Sequence, residues 1–361
     1  MTNTYGLPAD LHERTLLLVR HGSHAYGLNT ETSDLDIKGV AFGTPSVYHG
    51  FDTTFEQWES NEPYDCVVYE VRKFFRLAAA CNPNIIEVLW VDDDDVLLET
   101  PLGARLREHR AAFLSRRARH TFAGYARSQL KRIRGHRRWL LHPPEAKPTR
   151  AEFGLPEHTI ISRDQLMAAQ SRIHKQLDAW ELELTDYEPH QRVELRNAWE
   201  QILEEMQLGA DSRFAAAARH VGYDDNFLAL LDSERRYRSA LENFRQYERW
   251  RRHRNAARSE LEAAHGFDTK HASHLVRLLR MCREILETGE VRVKRADREE
   301  LLGIRRGEWD YDTLVAWADA QDAELGELVK NSPLPVTPDK PALDALCQSI
   351  VRDGLGLATR T

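Results

Sequence analysis

The stretch from Leu16 to Phe42 constrains this chain more than any other. Leu16-Leu17-Leu18-Val19 is a short apolar run of the kind that forms a buried strand, and Gly22-Ser23 follows it directly. After a polar loop, Asp34-Leu35-Asp36 opens a second run expected to be a strand to Phe42. Side chains alternate along a strand, so Leu35, Ile37 and Ala41 share one face while Asp34, Asp36 and Lys38 share the other. Backbone N–H groups at a turn that opens a helix bind phosphate oxygens. Two carboxylates held on one strand face resist ionising together unless a cation neutralises them, and hard oxygen ligands suit Mg²⁺ or Mn²⁺. Taken singly, Gly-Ser and Asp-x-Asp are common in solvated loops. Their order, with strands on both sides, points to a seat for a triphosphate and divalent metal.

The β signals end near Val91. Asp65-Cys66-Val67-Val68-Tyr69 reads as a further strand, an amphipathic helix follows through Lys73–Ala80, and Val88-Leu89-Trp90-Val91 is expected to be the last strand. The acidic run Asp92-Asp93-Asp94-Asp95 reads as a solvated loop, because consecutive carboxylates diverge. From Pro101 onward the chain reads as helices, broken at Gly135, from Pro143 to Pro156, and at Pro189, Gly209, Gly266 and Gly289. Between Thr159 and Arg258, long periodic segments rich in Arg, Glu and Gln suggest antiparallel helices laced with ion pairs. Prolines from Pro333 precede a short amphipathic helix expected to pack back onto the body. The expected fold class is α+β. A small mixed-sheet domain at 1–100 is followed by a larger, mostly helical portion at 101–330 and a Pro-containing tail at 331–361.

Composition narrows the partners. The net charge of −7 excludes a broadly basic protein, so nucleic acid would have to be bound by a local patch. The densest such patch is Lys131-Arg132-Ile133-Arg134-Gly135-His136-Arg137-Arg138-Trp139, cations interleaved with an aromatic. An ordinary solvated helix end is the competing explanation. Cys66, Cys81, Cys282 and Cys347 are scattered, without a Cys-x-x-Cys pair, and are expected to be reduced and buried. No apolar run is long enough to cross a bilayer and the first residues do not resemble a leader, so a cytoplasmic location is expected.

The form Gly22-Ser23-His24-Ala25-Tyr26-Gly27-Leu28-Asn29-Thr30, with Ser33-Asp34-Leu35-Asp36 and Gly39-Val40 beyond it, resembles the nucleotidyltransferase superfamily of DNA polymerase β. Within it, the segment is most similar to a branch of bacterial and phage nucleotidyltransferases associated with RNA ligases and RNA repair. The resemblance extends to Phe122–Trp139, to Phe153-Gly154-Leu155-Pro156 and to the region from Lys270 to Glu308, and is weakest from Asp178 to Glu260.

The resemblance implies a Mg²⁺- or Mn²⁺-dependent transfer of a nucleotide from a nucleoside triphosphate to a hydroxyl, with release of pyrophosphate. Asp34 and Asp36 would hold two metals, and a third carboxylate on a neighbouring strand would complete the set. Asp65 and Glu70 compete for that place. The resembling branch carries an acid at the position of Asp65, whereas Glu70, at a helix start, suits a capping role. Gly22 would let the backbone approach the phosphates and Ser23 would touch them. Lys270, His274 and Arg277, on one side of a helix whose Leu275, Leu278 and Leu279 face the core, are the further candidate nucleotide contacts. Lys131, Arg132, Arg134, Arg137 and Arg138 are the candidate nucleic-acid contacts. The implied acceptor is an RNA 3′ end, such as that of a cleaved tRNA, and the oligomeric state stays open.

Rival readings keep the same residues in other roles. A protein or small-molecule acceptor, as in antitoxin-type or aminoglycoside nucleotidyltransferases, uses the same chemistry. A degenerate nucleotide-binding module would not need both Asp34 and Asp36. Arg213 and His220 could form a ribonuclease pair, but the residues between them, Phe214 to Arg219, read as ordinary helix. His271 and His274 have a spacing that could suit a metal, yet no third ligand is evident near them in sequence, so zinc is not expected there.

Overall fold

The computed structural model describes residues 5–31, 33–159, 161–180, 210–254 and 256–356. Its strands are β1 (Thr15–His21), β2 (Asp36–Ala41), β3 (Gln57–Ser60), β4 (Asp65–Glu70) and β5 (Val96–Glu99). The helices of the first part are α1 (Ala9–Glu13), α2 (Gly22–Ala25), α3 (Pro45–His49), α4 (Val71–Ala79), α5 (Pro83–Trp90), α6 (Pro101–Glu108) and α7 (Ala118–Leu141). They are followed by α8 (Arg163–Trp180), α9 (Ala210–His220), α10 (Asp225–Arg252), α11 (Ala256–His265), α12 (Thr269–Thr288), α13 (Arg298–Arg306), α14 (Tyr311–Asn331) and α15 (Lys340–Gly354). The fold is α+β, a small mixed sheet with flanking helices followed by a larger helical part.

The chain divides into two compact units, one made of 1–142 with 255–361 and the other of 143–254. In the first, the sheet order is β3-β4-β2-β1-β5; β2 and β4 run parallel and the other neighbours antiparallel. Each face has its own apolar layer. Leu18, Ile37, Ala41, Cys66 and Val68 meet Leu7 and Leu11 at α1, with Leu35 and Trp58 alongside. The opposite face, through Leu17, Val19 and Val40, joins the large core supplied by α4, α5, α7 and α12. Helix α12 lies against α7 and is buried along Leu275, Val276, Leu278, Leu279, Met281, Cys282, Ile285 and Leu286. The C-terminal helix α15 packs back on α4 and α6. All four cysteines are buried and free of disulfides. No helix among the described residues is long and apolar enough to cross a membrane.

In the second unit, α8, α9 and α10 share a core of Ile161, Leu166, Ala169, Ile173, Ala217, Ala218 and Leu231. The connection before α8 is ordered by Arg150, which donates to Pro156 O at 2.6 Å and to buried Glu234 at 2.5 Å. The expected breaks at Pro189 and Gly209 lie outside the described residues.

Three expectations are corrected. Val88–Val91 is not a strand: Asn82 caps and Pro83 opens α5, whose apolar residues are buried on several sides. A short apolar run buried all round has no period by which helix and strand can be distinguished. The last strand, β5, lies beyond the acidic run and pairs with β1. Within that run Asp92, Asp93 and Asp94 are exposed, but Asp95 is buried with Arg20 at 3.7 Å. Gly135 does not break α7, which continues for 24 residues because Phe122, Ala126, Leu130 and Ile133 on its buried face anchor it. A Cβ at Gly135 would meet no atom within 4 Å. Gly135→Ala is therefore expected to stabilise this unit by about 0.5–1 kcal/mol through the higher helix propensity of Ala. Urea unfolding checks this, and a loss of stability would contradict the open space.

Candidate active site

The end of β1 and the starts of β2 and β4 lie side by side in the sheet. His21 pairs with Asp36, and Asp36 stands in register with Asp65 on the parallel neighbour β4. Paired residues of parallel strands project to the same face, so the Asp36 and Asp65 carboxylates share a side. Asp34 is exposed, just ahead of β2. The Asp36 carboxyl is pushed above its ordinary value by burial and by the charge of Asp65, with Asp34 adding to the effect and Lys38 and Lys270 opposing it. Three acids and two lysines thus converge where the strands begin.

Gly22 is why the turn can sit so close. Its φ is +63°, and a Cβ there would overlap Asp36 Oδ2. Only glycine lets the backbone pass at this distance in this conformation. Ser23, next in the one-turn helix α2, lies half-buried on the same turn. Ser33 serves the loop, accepting from Thr30 N–H at 2.9 Å.

Beneath the acids lies a buried charge network. Glu87, on α5, accepts from Tyr26 Oη at 2.5 Å and from Arg277 at 2.7 Å, with His21 Nε2 at 3.3 Å. The Arg277 guanidinium also lies 3.6 Å from the centre of the Tyr26 ring. Burial pushes the Glu87 carboxyl up, but Arg277 and the hydrogen bonds from His21 and Tyr26 outweigh it and hold the group well below the usual carboxylate range. Burial and the Lys38 ammonium lower the His21 imidazole. Lys38 donates to Asn84 O at 3.2 Å, and burial brings its ammonium down to about 8.

The structure separates the residues expected to contact nucleotide. Lys270 is exposed near Asp36. Arg277 is 2% exposed and committed to Glu87. His274 is lowered to about 3 by burial and by Arg277, so it is a neutral donor and acceptor rather than a cation. Glu70 sits at the far end of β4, buried; it caps α4 through Lys73 N–H at 3.1 Å and accepts from Tyr48 and Arg72. On α7, Lys131, Arg132, Arg134 and Arg138 are exposed, whereas Arg137 donates to Gly266 O at 3.0 Å and stacks on Tyr311.

Sequence reading missed Glu87, Tyr26, Asn84 and Tyr125. A lone acid within Ile85-Ile86-Glu87-Val88-Leu89 was a usable signal, since a charge in so apolar a run must be paired. Tyr125, exposed on α7 and hydrogen-bonded to Asn84 at 3.2 Å, had no signal of its own. Elsewhere, an open cleft of about 710 Å³ is bounded by Asp92, Asp93, Arg107, Arg110 and Lys294. Its charges are largely engaged with one another, Arg107 with Asp93 and Lys294 with Asp92, so the carboxylate cluster is the better candidate for chemistry.

Residues 7–141 match the family model described as RlaP, the RNA repair pathway DNA polymerase beta family. The matched segment, polymerase β-like in its family, contains the sheet, the Gly22 turn, the three acids and α7. No curated protein and no solved structure gives a significant match.

Arg277→Met would leave Glu87 ionised and without its guanidinium, and is expected to cost about 3–5 kcal/mol in urea unfolding. The depressed Glu87 carboxyl contributes stability that is present above the unfolded value of about 4.3 and is lost as pH falls through the folded value. His21 and His274, held neutral, act in the same direction below about 6.5. Stability measured against pH should therefore decline on the acid side, and Glu87→Gln should flatten the part below about pH 4.3. An unchanged profile in that variant would contradict the pairing.

Proposed function

We propose that this chain is a divalent-metal-dependent nucleotidyltransferase that joins a nucleoside monophosphate from a nucleoside triphosphate to the 3′ hydroxyl of an RNA. The family match over residues 7–141 supports nucleotidyl transfer in RNA repair. The observation that carries the chemistry is the convergence of Asp34, Asp36 and Asp65 against Gly22. A half-buried Asp36, whose carboxyl is pushed up by burial and by the charges of Asp65 and Asp34, belongs to a donor set that a hard divalent cation relieves, so the residues fit Mg²⁺ or Mn²⁺. Bound there, such ions supply charge neutralisation and a more acidic attacking hydroxyl.

The chain's own residues do the positioning. Gly22 and Ser23 give the phosphates a close backbone approach and a hydroxyl, and Lys270 faces the acids as a counter-charge for the triphosphate. His274 offers a neutral imidazole one turn further along α12. Arg277 acts through Glu87 and Tyr26, fixing the turn from below. The exposed Lys131, Arg132, Arg134 and Arg138 support an RNA acceptor by lining α7 with cations, and exposed Tyr125 offers a ring on which a base could stack.

Replacing Asp34 and Asp36 together with Asn is expected to abolish incorporation of labelled nucleotide while circular dichroism stays native; retained incorporation would overturn the mechanism. Asp65→Ala should lose activity at least about 100-fold, whereas Glu70→Ala should cost about 1 kcal/mol or more of stability through the lost cap and leave transfer working. The reverse would exchange their roles. Changing Lys131, Arg132, Arg134 and Arg138 to Gln should make the dependence of RNA affinity on salt shallower by up to about 3 in logarithmic slope. An unaltered slope would mean that α7 does not touch RNA.

A further inference from the structure

We infer a second metal site, separate from the three acids and suited to a transition metal of the zinc class, formed by His136, Asp268 and His271. His136 projects from α7, Asp268 is the N-cap of α12, and His271 lies in the first turn of α12. One nitrogen of each ring and a carboxylate oxygen of Asp268 all lie within 4.8 Å of one another. His136 Nδ1 is 3.7 Å and His271 Nε2 3.6 Å from the same oxygen, Asp268 Oδ2.

The geometry is that of a shared ligand sphere rather than of an ion pair. Charge-assisted hydrogen bonds between such groups are about 2.7–2.9 Å, well under both separations. Around a tetrahedral zinc ion with bonds of about 2.0–2.1 Å, neighbouring ligand atoms lie about 3.3–3.4 Å apart, so each ring needs to close on Asp268 Oδ2 by only a few tenths of an ångström and the two rings on each other by at most about 1.5 Å. Two imidazoles and one carboxylate are a donor set for zinc-class ions and a poor one for Mg²⁺.

The surroundings hold the ligands in place. Asp268 is fully buried, its other oxygen accepts from His271 N–H at 3.0 Å, and Oδ2 lies beside both rings. His136 stacks on Trp139 with ring centres 5.5 Å apart. Arg137, the residue after His136, donates to Gly266 O at 3.0 Å and so fastens α7 to the turn that leads into Asp268. Three protein ligands leave a coordination position for water or a substrate oxygen. The spacing of His271 and His274 gave no hint of this, because His271 finds its partners on α7 and in the helix cap. Metal bound here would clamp α7, the cationic helix, to the first turn of α12, which carries Lys270.

The test uses the full chain, stripped with a chelator, titrated with zinc alone and desalted before metal analysis, with Co²⁺ as a visible-absorption probe. The wild type is expected to retain one equivalent of zinc and to melt at a higher temperature with it. The Asp34→Asn/Asp36→Asn variant should retain zinc equally. His136→Gln and His271→Ala, each checked for native circular dichroism, should weaken zinc binding at least about tenfold, since loss of even an outer partner does as much. Absence of retained zinc in the wild type, equal retention in both histidine variants, or loss confined to the Asp34/Asp36 variant would each overturn the site. None of these results bears on whether nucleotide is transferred.

Discussion

The ion pair between Glu87 and Arg277 is the interaction on which the rest of the molecule depends. The two residues lie 190 apart in sequence and are both almost fully buried, Glu87 in a helix that covers the sheet and Arg277 in the long helix α12. A buried carboxylate is costly unless paired and hydrogen-bonded. Here one oxygen takes Arg277 and the other takes Tyr26 and faces His21, so the charge is met from three directions. The pair therefore makes the small sheet and the C-terminal helices one folding problem.

It also sets the floor of the candidate site. The turn that begins at Gly22 ends at Tyr26 and Gly27, and to the local bonds from Tyr26 N–H to Gly22 O and from Gly27 N–H to His24 O the fold adds restraints from far along the chain. Tyr26 is gripped by Glu87 and Arg277, Arg295 N–H donates to Tyr26 O at 3.1 Å, and Arg298 bonds Gly27 O. Arg295 is itself tied to Glu284 and Asp297. A phosphate seat made of backbone N–H groups is useful only if the backbone cannot move. The cations that would be expected to meet substrate are thus partly spent on rigidity, with Lys270 left facing the acids.

The legible parts of this protein were those whose signal is local. The alternation over β2, the Gly-Ser turn and the Asp34-x-Asp36 spacing are all carried by neighbouring residues. So is the capping geometry of Glu70, which follows from its place at a helix start. Helix α5 was misread because an apolar run buried on several sides has no periodicity, although Asn82-Pro83 marked its start. Asp65 was reached through family resemblance; its pairing with Asp36 is a matter of sheet register, which sequence does not display. Glu87 with Arg277, and His136 with Asp268 and His271, depend on contacts across more than 130 residues, where local pattern carries nothing.

The account stands or falls on where the α-phosphorus goes. Two parallel incubations of the protein with Mg²⁺ and an RNA bearing a 3′ hydroxyl, one with α-labelled and one with γ-labelled nucleoside triphosphate, follow it directly. The account predicts that the α label enters the RNA, that the γ label leaves as pyrophosphate, and that an RNA whose 3′ hydroxyl is blocked takes up neither. Transfer of the γ label to RNA, or equal uptake of the α label by the blocked RNA, would contradict it.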